Sequence, residues 1–154
     1  MENIKTHGTS IGWSNVLEMV HESRIDSVGL NERVNSLATR SIKKDSKLEA
    51  LNMIVSMCDL TTLEGEDTEG KISQMVAKAI KPNPLDNSVP SVAAVCVYPS
   101  LVDIAKMKVQ HSNVKVAAVS SYFPSGQVPM ESKLLDTKYA IDSGADEIDI
   151  VINR

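Results

Sequence analysis

The sequence predicts an α/β fold: about four parallel strands with intervening helices, the N-terminal part of a (β/α)8 barrel, preceded by an α-helical extension. Three observations carry this expectation. From Ser56 onward, short apolar runs alternate with amphipathic helical segments, the pattern of parallel strands joined by right-handed crossovers. Val92 to Tyr98 (VAAVCVY) is almost wholly apolar, as a strand buried on both faces must be. Alternation alone also allows a doubly wound open sheet, but such a nucleotide-binding sheet should show a Gly-rich loop after a strand. Neither GxGxxG nor GxxxxGK(S/T) occurs, which favours the barrel.

The first third reads as helix, and residues 1–47 form the expected extension. Trp13, Val16, Leu17 and Val20 share one face, as do Leu30, Val34, Leu37 and Ala38. Leu48, Leu51 and Val55 make a third face, with Asp45 or Ser46 placed to cap its start. The barrel portion is expected over residues 48–154. Met57 to Thr61 is its first strand, and Asp67 and Thr68 can cap a helix carrying Ile72, Met75, Val76, Ala79 and Ile80. Pro82 and Pro84 end that helix. Val92–Tyr98 is the second strand, Leu101 to Val109 a short helix, and Val114 to Tyr122 a third strand that turns polar at its end. Pro129 opens a helix with Met130, Leu134, Thr137 and Ile141 on one face, and Gly144 stops it. Glu147 to Asn153 (EIDIVIN) is the fourth strand. A complete barrel needs eight strands and about 250 residues.

Composition narrows the function classes. Sixteen basic against twenty acidic residues, without a basic patch, argue against nucleic acid as a partner. The longest apolar run is far short of a membrane span, and the polar start Met-Glu-Asn-Ile-Lys lacks the apolar core of a signal peptide. The two cysteines, Cys58 and Cys96, show no metal-ligand spacing, and His7, His21 and His111 are scattered. The expectation is a cytoplasmic protein with no metal and no cofactor.

In barrels, catalytic groups project from the C-terminal ends of strands. Asp149 is the most informative residue there. If Ile148, Ile150 and Ile152 pack against helices, then Glu147, Asp149 and Val151 face the barrel interior. A carboxylate in that environment needs a partner or a task, and desolvation would push its pKa upward. The plainer reading is a strand-end Asp bonded to a lysine or a backbone N–H. Asp59, in DLTTL, is equally well read as satisfying loop backbone groups. Cys96 reads as a small core residue, since no base or cation stands beside it in the sequence. FPSG, residues 123–126, is a turn by composition.

Taken together, DLTTL at 59–63 with Asp67-Thr68, AAVCVYP at 93–99, FPSG at 123–126 and GADEIDIVINR at 144–154 resemble deoxyribose-phosphate aldolase. The resemblance covers about residues 48–154. It implies a (β/α)8 barrel and a metal-independent class I aldolase that reversibly cleaves 2-deoxyribose 5-phosphate into acetaldehyde and glyceraldehyde 3-phosphate. It implies a Schiff-base lysine on the sixth strand and a second lysine on the seventh that keeps the first neutral. Asp149 matches an aspartate that relays protons through a water. Asp59 matches a supporting aspartate, Thr61 a substrate contact, and Cys96 a pocket-lining cysteine. The implied partner is a small phosphorylated sugar.

Measured against that family, the sequence holds four strands of eight, and neither the two lysines nor the phosphate loops fall within it. Lys115 begins the third strand, at the wrong end of a barrel. Lys71, Lys78, Lys106, Lys108, Lys133 and Lys138 are expected on helices facing solvent. The 154-residue chain is therefore expected to be inactive alone. The alternative is a non-catalytic half-barrel that associates with itself or with a complementary half.

Overall fold

The computed structural model describes residues 4–6, 9–11, 13–23 and 25–153. Of the residues singled out above, His7, Arg154 and the side chain of Trp13 lie outside the described residues. The chain divides into two compact units, residues 1–42 and 43–154.

The first unit opens with a hairpin in which β1 (Ile4–Thr6) pairs antiparallel with β2 (Thr9–Ile11). The wholly helical reading of the first third is corrected here. Ile4, Thr6, Thr9 and Ile11 place β-branched residues at alternate positions, the pattern of a strand pair. α1 (Trp13–Glu22) and α2 (Ser27–Ala38) follow. Asp26 caps α2, its carboxylate accepting the Gly29 N–H at 2.9 Å. Leu17, Val20, Leu30, Val34 and Leu37 lie on helices as expected, and all are exposed.

The second unit begins at Lys43, so the expected boundary at 47/48 falls inside α3 (Lys44–Ser56). Lys43 takes the cap position without a side-chain bond; Asp45 and Ser46, expected to cap, lie within the helix. Asp45 instead complements the positive end of the helix dipole. Val55 packs α3 onto the main core.

Then come β3 (Asp59–Thr61), α4 (Glu69–Ile80) and β4 (Ala94–Val97). A 3-10 turn at Pro99–Leu101 leads into α5 (Val102–Lys108), followed by β5 (Lys115–Ser120), α6 (Met130–Asp142) and β6 (Glu147–Ile150). Thr68 caps α4, accepting the Lys71 N–H. Gly144, at φ +98°, ends α6 with its N–H on the Ile141 carbonyl at 2.9 Å.

The four strands are all parallel, in the order β3-β4-β5-β6. Each lies beside its neighbour in sequence, whereas a doubly wound sheet reverses direction partway. The helices cover one face only. There Ile72, Val76, Val95, Val97, Val102, Val116 and Ala140 make the main core, with Ile148 packed against it. The opposite face carries a smaller row of Ala94, Cys96, Ala117 and Val119, against which Leu63 and Tyr98 pack. One covered face and consecutive strand order make the arrangement a barrel segment, open along its concave side. Among the described residues no helix is long and apolar enough to cross a membrane.

Candidate active site

Strand register brings the sequence-predicted residues onto the concave face. Asp59 pairs with Ala94, Thr61 with Cys96, Cys96 with Ala117, Ala117 with Glu147 and Val119 with Asp149. Paired residues share a face, so Asp59, Thr61, Cys96 and Asp149 line one surface with the small row. Ile148 takes the helix side, as the alternation of β6 requires.

One contact within this set joins two strands that are not neighbours. The Cys96 thiol donates to Oδ2 of Asp149 at 3.5 Å. Cys96 is 3% exposed, and burial pushes its thiol up to about 12. The Asp149 charge and hydrogen bond add to that shift, as does the charge of Asp59, while a hydrogen bond with Thr61 offsets part of it. At neutral pH Cys96 is therefore a protonated thiol, a donor to Asp149 and not a nucleophile. Among the described residues, neither a lysine nor a backbone N–H bonds Asp149. Its side chain is exposed and not enclosed, because four strands leave the concave face open to solvent.

The segment after β3 is tied by Asp67, whose side chain is 1% exposed. It accepts from the Thr62 hydroxyl at 2.8 Å, the Glu64 N–H at 3.1 Å and Lys71 Nζ at 2.6 Å. The Lys71 bond is the largest influence holding this carboxyl below the usual range, against a smaller opposing effect of burial. Lys71 is raised in turn by the same bond.

After β5 the chain turns through Ser121 (φ +62°), Tyr122 (φ +59°) and, four residues on, Gly126 (φ +65°). Ser120 and Ser121 are buried, Ser120 bonding the Thr137 hydroxyl. The Tyr122 N–H reaches Oδ2 of Asp136 at 3.2 Å. A Cβ added to Gly126 would stand 3.2 Å from Val151 Cγ1 and 3.4 Å from Lys133 Nζ.

Three sequence expectations need correction here. Lys133 does not face solvent: it is 9% exposed and donates to Oδ1 of Asn153. Lys106 is half-buried and bonds both oxygens of Asp146 at 2.9 Å. Ile150 and Ile152 do not pack under helices. They are 66% and 69% exposed and border an apolar groove of about 410 Å³ against Met130, Leu134 and Thr137. On this side of β6 Ile148 is packed against the core, whereas Ile150 and Ile152 beyond it lie open.

Asp146 was missed as a structural residue. It accepts the Val116 N–H at 2.9 Å and Lys106, anchoring the start of β6 to β5. Burial alone would raise its pKa; the Lys106 and Val116 bonds outweigh it and hold the group below its usual range. A cleft of about 560 Å³ lined by Lys106, His111, Lys115 and Asp146 lies at this N-terminal end of the strands. It is the end from which barrel enzymes do not work. Among the described residues no three His, Cys, Asp or Glu side chains are grouped to hold a metal.

Comparison with known proteins follows this geometry. The profile of the DeoC/LacD family aldolases matches residues 53–154. The deoxyribose-phosphate aldolase of Homo sapiens is 39% identical over 128 residues, covering 76% of this chain and 40% of its own length. That of Mus musculus is 34% identical over 149 residues, covering 90% and 47%. The chain thus spans less than half the length of these relatives. Among solved structures, an aldolase named QR15 aligns with a TM-score of 0.55 at 29% identity, covering 65% of this chain and 40% of that one. The deoxyribose phosphate aldolase of Aeropyrum pernix aligns at 0.52 and 25%, covering 64% and 38%. With its four consecutive parallel strands and this match over both strand ends and turns, the chain belongs to the DeoC/LacD family of aldolases.

Proposed function

We propose that this chain carries the proton-relay half of a deoxyribose-phosphate aldolase site and needs a lysine-bearing half to act. One observation supports the reading most: Asp149 stands on the concave face with the Cys96 thiol as its recorded donor. In the proposed reaction a neutral lysine from the other half condenses with the sugar aldehyde, releasing water. The carbon–carbon bond then breaks with its electron pair drawn into the iminium to give an enamine, and the hydroxyl proton on the departing carbon leaves through water to Asp149. That proton returns to the enamine carbon, and water hydrolyses the resulting iminium, freeing acetaldehyde and the lysine. Asp59 and Thr61 line the substrate side, and Cys96 fills the pocket wall as a neutral donor.

The test is complementation. The chain is mixed with a polypeptide supplying the remaining length of the human relative, and acetaldehyde release from 2-deoxyribose 5-phosphate is followed. Turnover is expected in the mixture and in neither half alone. Asp149→Asn should lower kcat by about 10²–10⁴ while leaving the melting temperature of the chain nearly unchanged. Turnover unaffected by Asp149→Asn would overturn the assignment.

A second reading is favoured by the exposed Ile150, Ile152, Leu134 and Leu135 along β6 and α6. Here the half-barrel is a non-catalytic module that associates through its apolar groove. Sedimentation velocity separates the two: a concentration-independent monomer with no dye-binding surface would rule out the association.

A further inference from the structure

Three side chains of α6 reach the mouth of the barrel from one helix face, at positions i, i+3 and i+4. Lys133 donates to Asn153 beyond β6, Asp136 accepts the Tyr122 N–H, and Thr137 bonds Ser120 at the end of β5. Their targets include Tyr122, which with Ser121 forms a pair of consecutive non-glycine residues in the left-handed region. That conformation persists only where the surroundings over-determine it.

Lys133 is the telling member. Its side chain is buried, yet among the described residues no carboxylate lies within ion-pair distance of it. A buried ammonium without a carboxylate is costly, and a helix that needed only packing would place an apolar residue there. Lys133 bonds Asn153, and its Nζ stands beside the Gly126 turn, 3.4 Å from where a Cβ on Gly126 would lie. Asn153 lies four residues beyond Asp149 on the segment continuing β6.

We infer that Lys133 is a positioning residue of the barrel mouth. Bonded to Asn153, it wedges the end of β6 against the Gly126 turn, while Asp136 and Thr137 bond Tyr122 and Ser120 on either side of Ser121. The clamp stands on the bonds just named; only its service to Asp149 rests on the aldolase reading above.

The experiment compares Lys133→Met, Lys133→Arg and Asn153→Ala in this chain, alone and in the complemented mixture. Asn153→Ala cuts the same bond from an exposed residue outside every helix, so it reports even where Lys133→Met fails to fold. In the chain alone, amide exchange at Gly126 and Tyr122 should quicken about tenfold or more in Lys133→Met and Asn153→Ala, while amides of α4 and β4 keep their rates. In the mixture kcat should fall on the order of 10²-fold, with KM changed much less, as displacement without contact to substrate predicts. Lys133→Arg should restore most of it. Unchanged exchange at Gly126 and Tyr122 overturns the clamp, as does a uniform rise across all amides, which would mean plain packing. A mixture without turnover in the unsubstituted chain would count against the aldolase reading alone, and exchange would then decide the clamp.

Discussion

The Cys96 thiol reaches Asp149 across an intervening strand: β5 lies between them, and its residue paired with Cys96 is Ala117. Asp149 pairs with Val119, two residues further along β5, so the contact runs diagonally over the Ala117–Val119 stretch of that strand. The contact is therefore a product of register. It also sets the chemistry of Cys96, because a thiol facing a carboxylate is disfavoured as a thiolate.

Alkylation measures that effect directly. Raised from an ordinary 9.0 to about 12, Cys96 should carry roughly a thousandfold less thiolate than an unperturbed cysteine at pH 8. Exposed Cys58 serves as the internal comparison. Iodoacetamide followed by peptide mass spectrometry should label Cys58 first, and Asp149→Asn should speed labelling of Cys96. Equal rates at the two cysteines would refute the picture. Cys96→Ser, which keeps a donor, should leave turnover of the complemented assembly within a few-fold.

Stability should fall in acid, with a definite sign. Asp67 and Asp146 have folded pKa values below the ordinary 3.8, Asp67 chiefly through its bond from Lys71 and Asp146 through bonds from Lys106 and Val116 that outweigh burial. In that range the unfolded chain binds more protons, so their contribution is present above the unfolded pKa and is lost as pH falls through the folded values. Urea midpoints should hold from pH 7 to about 5 and then decline toward pH 3. The Asp67→Asn, Asp146→Asn double variant should show a flatter decline. A midpoint as sensitive to acid in the double variant would show that other groups are responsible.

Gly126→Ala should be costly where Gly65→Ala is not. Gly126 combines φ +65° with a Cβ position 3.2 Å from Val151 Cγ1, whereas a Cβ at Gly65 meets nothing within 4 Å. The left-handed backbone alone costs a non-glycine residue about 1–3 kcal/mol. Denaturant unfolding at pH 7 should show a loss of that order at Gly126 and almost none at Gly65. Equal effects would mean that the turn is free to relax.

How far the sequence could be read depended on whether a residue's environment is set locally. The parallel order follows from the alternation of strands with helices and the inward face of Asp149 from period-two alternation in EIDI, and both are visible in one dimension. The burial of Lys133 is not. Met130, Leu134 and Ile141, expected with Thr137 to share the apolar face of this helix, are exposed, and α6 instead buries Lys133 and Ala140. Asp146 likewise reads as part of a common GAD turn until β5 brings the Val116 N–H beside it. Ile150 and Ile152 mislead in the opposite direction: apolar residues at a strand end promise burial, but these two lie open.

The chain alone should form no productive Schiff base. That reaction needs an amine that is neutral near pH 7, and five of the lysines here are engaged by other side chains. Lys71 is bound to Asp67 and raised by it, Lys106 is bound to Asp146, Lys108 to Glu69 and Lys138 to Asp142. The Asp67 carboxylate favours the ammonium form of Lys71, and an ordinary lysine near 10.4 is neutral in only about one molecule in 2,500 at pH 7. Lys133 is buried against Asn153 and the Gly126 turn, so its nitrogen is engaged on the helix side of the mouth. Asp149 can move a proton but can neither condense with a carbonyl nor accept the electron pair of a breaking carbon–carbon bond. Incubating the chain with 2-deoxyribose 5-phosphate and borohydride should therefore give only scattered, substoichiometric adducts by mass spectrometry. A stoichiometric adduct on one lysine, with acetaldehyde released before reduction, would show that this half-barrel supplies its own amine, and Lys133 would be the first position to examine.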